Sequence, residues 1–189
     1  FILHEKELLQ FIGDIAGECY NSSKNGDKCI QRALNCIKRG HHSPFEHANI
    51  TLKCTVDRGV SHALVRHRHC AFQQSSTIYQ KFQEIECIGC HDVCEDKLSM
   101  YRQAEIIYNK LLNDDYPPSS ARDVLPNALA TNLIITTNIR QWMYMIQRRC
   151  GPGDSDNMHA WCKMVREWFE EHYPHMTLVF DMWYEKHPL

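Results

Sequence analysis

The sequence predicts an α+β fold in a single domain spanning residues 1–189. Three observations predict it. Several segments carry apolar residues at helical spacing. Two others, "ANITLKCTV" (48–56) and "ALATNLIITTN" (128–138), are rich in β-branched residues and read as strands. These strands are scattered among the helices without regular strand–helix alternation, which argues against a doubly wound sheet.

The elements follow in order. Residues 5–20 place Leu8, Leu9, Ile12, Ile15, Ala16 and Cys19 on one helical face. Residues 27–39 repeat the pattern and stop at Gly40, a residue suited to the left-handed C-cap. In "HSPFEH", Ser43, Pro44 and Glu46 have the spacing of an N-cap, a first-turn proline and a capping-box acid. Strand 48–56 follows, then "RGVSHALVRHRH", a helix or helix-to-loop passage. "STIYQKFQEIECI" (76–88) reads as extended. Residues 96–113 form an amphipathic helix through Leu98, Tyr101, Ala104, Ile107, Tyr108, Leu111 and Leu112. "DDYPPSS" breaks it, and Ser120 can cap the short turn "ARDVL" that Pro126 ends. After the strand at 128–138, Asn138 can cap a helix over 139–149. "CGPGDSDN" is a loop, and a last helix covers about 157–172.

The net charge of −2 and 23% charged residues are ordinary for a globular domain and exclude a dedicated polyanion binder. No segment approaches the roughly 18 apolar residues of a membrane span. "FILHEKELLQ" is charged by its fourth residue and does not read as a signal peptide; without a Met it reads as a trimmed start. Ten cysteines, several of them on apolar helical faces, fit a reducing, cytoplasmic setting better than a disulfide framework. The sequon at Asn21 then carries no meaning.

The basic residues Arg66, His67, Arg68 and His69 are therefore a local feature and suggest a small anionic ligand. A solvated basic turn is the plainer reading, but the uncharged, hydrogen-bonding "CAFQQSS" that follows resembles a pocket wall. Cys87, Cys90, His91 and Cys94 match both a haem-attachment pattern and a zinc set; reduced thiols on a loop are favoured over either. The three histidines of "GHHSPFEH" (40–47) could bind a metal, though helix capping explains the segment without one. Arg148 and Arg149 end a helix, where they can answer its dipole. No cysteine stands out as a nucleophile, and no phosphate-binding glycine loop is present.

Taken together, these stretches resemble the flavin-dependent thymidylate synthases (ThyX). Arg66-His67-Arg68, seven residues, then Ser76 fits that family's signature. "GHHSPFEH" is similar to its GHxSPFEH element, "SSARDVLP" (119–126) to its ARxVLP element, and "TTNIRQWMYMIQRR" (136–149) to its Asn-x-Arg helix. "GECYNSS" (17–23) resembles the end of its N-terminal helix. After Cys150 the chain has "CGPGDSDNMHAW" where the family has a shorter segment, so His159 has no assigned counterpart.

The resemblance implies an α+β, ThyX-type fold with helices around an antiparallel-rich sheet, assembled as a homotetramer with shared active sites. It implies reductive methylation of dUMP at C5, using methylenetetrahydrofolate, NADPH and FAD, without an attacking cysteine. It implies FAD contacts from His41, Ser43, Arg66, His67, Arg68, Gln74, Asn138, Arg140 and Tyr144. It implies nucleotide contacts from Arg66, Gln74, Ser75, Ser76, Arg122 and Arg149, with Arg149 and Ser76 as catalytic residues and no metal. Arg149 would favour the ionised N3 of the pyrimidine, because a fixed positive charge stabilises a developing anion in a dry site. Departures stand at Ala63 (usually Gln), Gln74 (usually Glu), Ile78 (usually Arg) and Tyr144 (usually smaller and polar). They leave room for another pyrimidine nucleotide such as dCMP or UMP, or a hydroxymethyl product. A third reading is a non-catalytic nucleotide- or metal-binding protein on the same scaffold.

Overall fold

The computed structural model describes residues 4–19, 21–22, 25–89, 94–177 and 180. Two N-terminal helices pack as a pair. Helix α1 (Glu5–Glu18) buries Leu8, Leu9 and Ile12, and its first turn is closed by the His4 amide donating to Glu7 Oε2 at 3.0 Å. Helix α2 (Gly26–Arg39) starts where the Asn25 side chain accepts from the amides of Asp27 and Lys28, and stops at Gly40, whose φ of 70° is left-handed as the sequence predicts. The pair touches backbone to backbone at Gly13, where a Cβ would lie 1.8 Å from the Cys29 carbonyl oxygen. Arg32 clamps the crossing by donating to the Gly13 carbonyl at 2.6 Å. Gly13→Ala is therefore expected to cost roughly 1–3 kcal/mol of stability, since rigid backbone cannot make way as a side chain would. Chemical denaturation checks this; an unchanged midpoint would mean that the helices can separate without cost.

Ser43–His47 forms a short 3-10 helix with Phe45 fully buried beneath it. Here the structure corrects the capping-box expectation. His42, not Ser43, is the N-cap residue, and no side chain caps the turn. Glu46 instead forms an ion pair with Arg140. Burial of Phe45 sets the turn, and an oppositely charged partner outcompetes a local cap.

Strands β1 (Asn49–Asp57), β2 (Ala71–Gln74) and β3 (Ala130–Asn138) form an antiparallel sheet in the order β1-β3-β2. The β1–β3 ladder runs from Asn49 opposite Asn138 to Asp57 opposite Ala130. One face is apolar, with Ile50, Val56, Leu133 and Ile135 in the core. The outer face is polar, with Thr51 bonded to Thr136 and Thr55 to Asn132, each at 2.9 Å. The third strand lies in "AFQQ", a stretch that reads as a pocket wall, while most of 76–88 is irregular, with a turn at 77–79 and a bend at 83–84, rather than extended strand. Ile78, Tyr79 and Gln80 are all exposed, so no apolar face holds that stretch to the sheet. Its end does pair: Cys87 bridges Leu129, with the Ala130 amide donating to the Glu86 carbonyl at 2.8 Å.

Helix α3 (Arg58–Leu64) starts at Asp57, whose Oδ1 accepts from the Val60 amide at 2.8 Å and whose Oδ2 accepts from Asn157. Helix α4 (Glu95–Asn113) buries only Ala104 and Tyr108; Ile107 of its expected apolar side is exposed, as are Met100 and Ile106. Ser120, read as a cap, lies inside helix α5 (Pro118–Ala121), which Pro117 opens. A 3-10 turn, Arg122–Val124, follows. Helices α6 (Ile139–Arg149) and α7 (Asp156–His172) complete the core, where Trp142 is fully buried and donates to the Ile50 carbonyl at 3.2 Å. Among the described residues, no helix is long and apolar enough to cross a membrane.

Candidate active site

The end of β3 sets up the site. The Asn138 side chain caps α6 by accepting from the Gln141 amide at 2.8 Å. The helix then alternates by its own period: Ile139, Trp142, Met143, Met145 and Ile146 enter the core, and Arg140, Tyr144 and Arg148 face outward at four-residue spacing. That outward stripe borders a cleft of ≈ 500 Å³ lined by Glu46, His69, Asn138, Arg140 and Tyr144.

The segment after α3 lies beside this stripe. The His69 carbonyl accepts from the Thr137 hydroxyl at 2.8 Å, which fixes the segment to β3. Arg66, Arg68 and His69 are exposed, whereas His67 is only 7% exposed. The His67 ring meets Tyr144 edge to face, with centroids 5.8 Å apart. Arg149 converges on the same point: its Nε donates to His67 Nε2 at 3.1 Å, its Nη2 donates to the Ala63 carbonyl at 2.7 Å, and its Nη1 lies 3.6 Å from Asp154 Oδ1. Burial first, then the charges of Arg149 and Arg148, push the His67 pKa down to about 4 against a small opposing pull from Asp154. His67 is thus neutral at physiological pH. Because its Nε2 accepts from Arg149, the ring proton is assigned to Nδ1.

The structure therefore brings His67, His69, Asn138, Arg140, Tyr144 and Arg149 together, with Arg66 and Arg68 exposed in sequence on either side of His67. His41 and Ser43 line a second cleft, of ≈ 570 Å³, together with Arg32 and Arg39 of α2. The remaining candidates lie elsewhere. The Gln74 amide donates to Ser61 Oγ at 3.1 Å and to Thr131 Oγ1 at 3.3 Å. Ser75 borders a smaller cleft of ≈ 250 Å³. Ser76 Oγ accepts from the Ile78 amide at 3.1 Å, and Arg122 donates to the Ser119 carbonyl in its own turn. Among the described residues, no hydrogen bond or ion pair joins Ser76 or Arg122 to Arg149.

Two site residues escaped the sequence reading. Glu46 was assigned to capping, yet it holds Arg140. Asp154 was assigned to a loop, yet it faces Arg149; "GPGD" is a turn signature that could have marked it as fixed. At the cysteine cluster, Cys90 and His91 lie outside the described residues. Cys87 has its thiol pKa raised by burial and by Glu105 and Glu86, and Cys94 is exposed. No disulfide joins the described cysteines.

The class this fold and surface define is an α+β protein whose basic, aromatic-edged clefts suit a phosphate-bearing aromatic ligand. Residues 4–175 match the family of the thymidylate synthase complementing protein, Thy1, and the chain belongs to that family. It is 26% identical over 166 residues to a flavin-dependent thymidylate synthase of Synechocystis, covering 77% of each chain. A second, from Geobacter sulfurreducens, is 33% identical over 120 residues, 59% of this chain and 52% of that one. A third, from Halobacterium salinarum, is 25% identical over 87% of this chain and 86% of its own.

Proposed function

We propose that this chain is a flavin-dependent thymidylate synthase, a single catalytic domain that methylates dUMP at C5 with methylenetetrahydrofolate as carbon donor and NADPH as reductant. The observation that carries this reading is the convergence of Arg149 on His67, inside the basic triplet and beside Tyr144 and Arg140, in a chain of this family.

The residues fit FAD. Arg66, Arg68 and Arg140 offer charge to its phosphates, Tyr144 offers a ring, and Asn138, His41 and Ser43 add polar groups from the two clefts. FAD, when bound, supplies hydride to the carbon being installed. The protein's part is binding and electrostatics. Neutral His67 holds the Arg149 guanidinium without adding a competing charge. Arg149 then stabilises negative charge on the pyrimidine, the role that raises its reactivity at C5. Gln74, Ser75, Ser76 and Arg122 complete the nucleotide site, with Ser76 catalytic. Among the described residues Ser76 and Arg122 bond within their own turns and not to Arg149, which is compatible with a site shared between subunits of a homotetramer. The exposed Met100, Ile106 and Ile107 of α4 support such an assembly too. Two departures leave local contacts intact: the carbonyl that Arg149 meets at Ala63 is backbone and independent of the side chain, and Gln74 keeps a hydrogen-bonding end at its position. A cytoplasmic setting agrees with the unbridged cysteines.

The test is the visible spectrum of the purified protein, as isolated and after adding FAD, followed by oxidation of the reduced flavin with dUMP, dCMP or UMP. A perturbed flavin band and reaction with dUMP are expected. Reaction with another nucleotide alone would overturn the substrate, and a flavin-free protein carrying stoichiometric zinc would overturn the enzyme.

A further inference from the structure

We propose that Asp154 is a positioning residue, delivered by a Pro-Gly turn, that fixes the Arg149 guanidinium for the nucleotide. The inference deepens the proposed function and rests on its reading of Arg149 as a nucleotide ligand.

The turn is written in the sequence. Gly151-Pro152-Gly153-Asp154 has Pro at the second position and Gly at the third, the type II pattern. Gly153 has a φ of 96°, which that third position requires and which other residues adopt at a cost. The Asp154 amide reaches the Gly151 carbonyl at 3.4 Å, closing the turn, and the His159 ring meets the same carbonyl at 3.1 Å. On the other side, Ser155 caps α7 by accepting from the Met158 amide at 3.2 Å. Asp154 thus stands between two fixed neighbours, so its carboxylate approaches Arg149 at little entropic cost.

The guanidinium is held on three sides. Nε is committed to His67 and one Nη2 hydrogen to the Ala63 carbonyl, both neutral acceptors. Among the described residues Asp154 supplies the one charged contact, to Nη1, with both side chains only 17% exposed. A guanidinium has five N–H groups, so hydrogens on both Nη atoms remain for a ligand. With Nη1 anchored, those hydrogens point in one direction. Without Asp154, that end of the fork has only water to orient it.

The test uses full-length protein and dUMP. Asp154→Asn is expected to weaken dUMP binding to the FAD-loaded protein about tenfold while leaving FAD binding unchanged. In the FAD-free protein it should also shift the ¹⁵N resonance of His67 Nε2, because the Arg149 hydrogen bond loosens. Gly153→Ala, which keeps the carboxylate but strains the turn, should move both readouts the same way, and Asp154→Glu should restore part of the affinity. Gly153→Ala keeps the test decisive even if Asp154→Asn fails to fold. If dUMP affinity and the His67 resonance stay unchanged in both variants while Arg149→Ala abolishes dUMP binding, this inference falls alone. If Arg149→Ala also binds dUMP normally, the nucleotide reading of Arg149 falls with it.

Discussion

Replacing Arg149 by alanine is expected to lower kcat/KM for dUMP by about 10²–10³, the usual loss when one preorganised charge is removed from a transition state. FAD binding should persist, since the cleft proposed for the cofactor is lined by His69, Asn138, Arg140 and Tyr144 and not by Arg149. Lysine should not rescue. It keeps the charge but has no planar fork to serve His67, Ala63 and Asp154 together. The change also has a structural signature. Arg149 is the largest charged influence lowering the His67 pKa, so its loss should let that pKa rise towards the ordinary histidine value. Steady-state kinetics, flavin titration and histidine NMR together check the prediction. Turnover within a few-fold of the native protein would remove Arg149 from the chemistry.

Much of this surface was legible before any coordinates. The helix over 139–149 and the Asn138 cap that starts it were legible because helical period and capping are local rules. The long strands were legible because alternation and β-branching agree there. What stayed hidden depends on partners distant in sequence. Glu46 has the spacing of a capping box, yet Arg140, ninety-four residues away, takes its carboxylate. Arg149 looks like an answer to the helix dipole until it meets the last turn of α3, which offers the Ala63 carbonyl, and the segment after it, which offers the His67 imidazole. The short strand Ala71–Gln74 has no alternation long enough to announce itself; it pairs because β3 offers it an open edge. Gln74 then points into the sheet's covered side, where Ser61 and Thr131 engage its amide.

The neutrality of His67 makes the whole site acid-sensitive, and the sign can be worked out. In the unfolded chain His67 takes up a proton below its ordinary pKa of 6.5; in the folded protein it resists until about 4. Between those values the unfolded state binds more protons, so stability rises with pH across that window. The contribution is fully present above 6.5, declines as pH falls towards 4, and is flat below. A gap of that size at a buried ring is worth about 3 kcal/mol. His67→Gln tests it, because a glutamine carbonyl can accept from Arg149 but cannot titrate. Denaturation at several pH values should give a native stability curve steeper than the variant's by about 1.4 kcal/mol per pH unit between 4 and 6.5. Parallel curves would show that the ring titrates normally in the folded protein. The same proton has a catalytic consequence. Once protonated, Nε2 is a donor facing the Arg149 Nε–H, and two donors cannot share one bond. Acid should therefore cost stability first, from 6.5 downwards, and release Arg149 from His67 only near pH 4, where the folded ring itself takes up its proton.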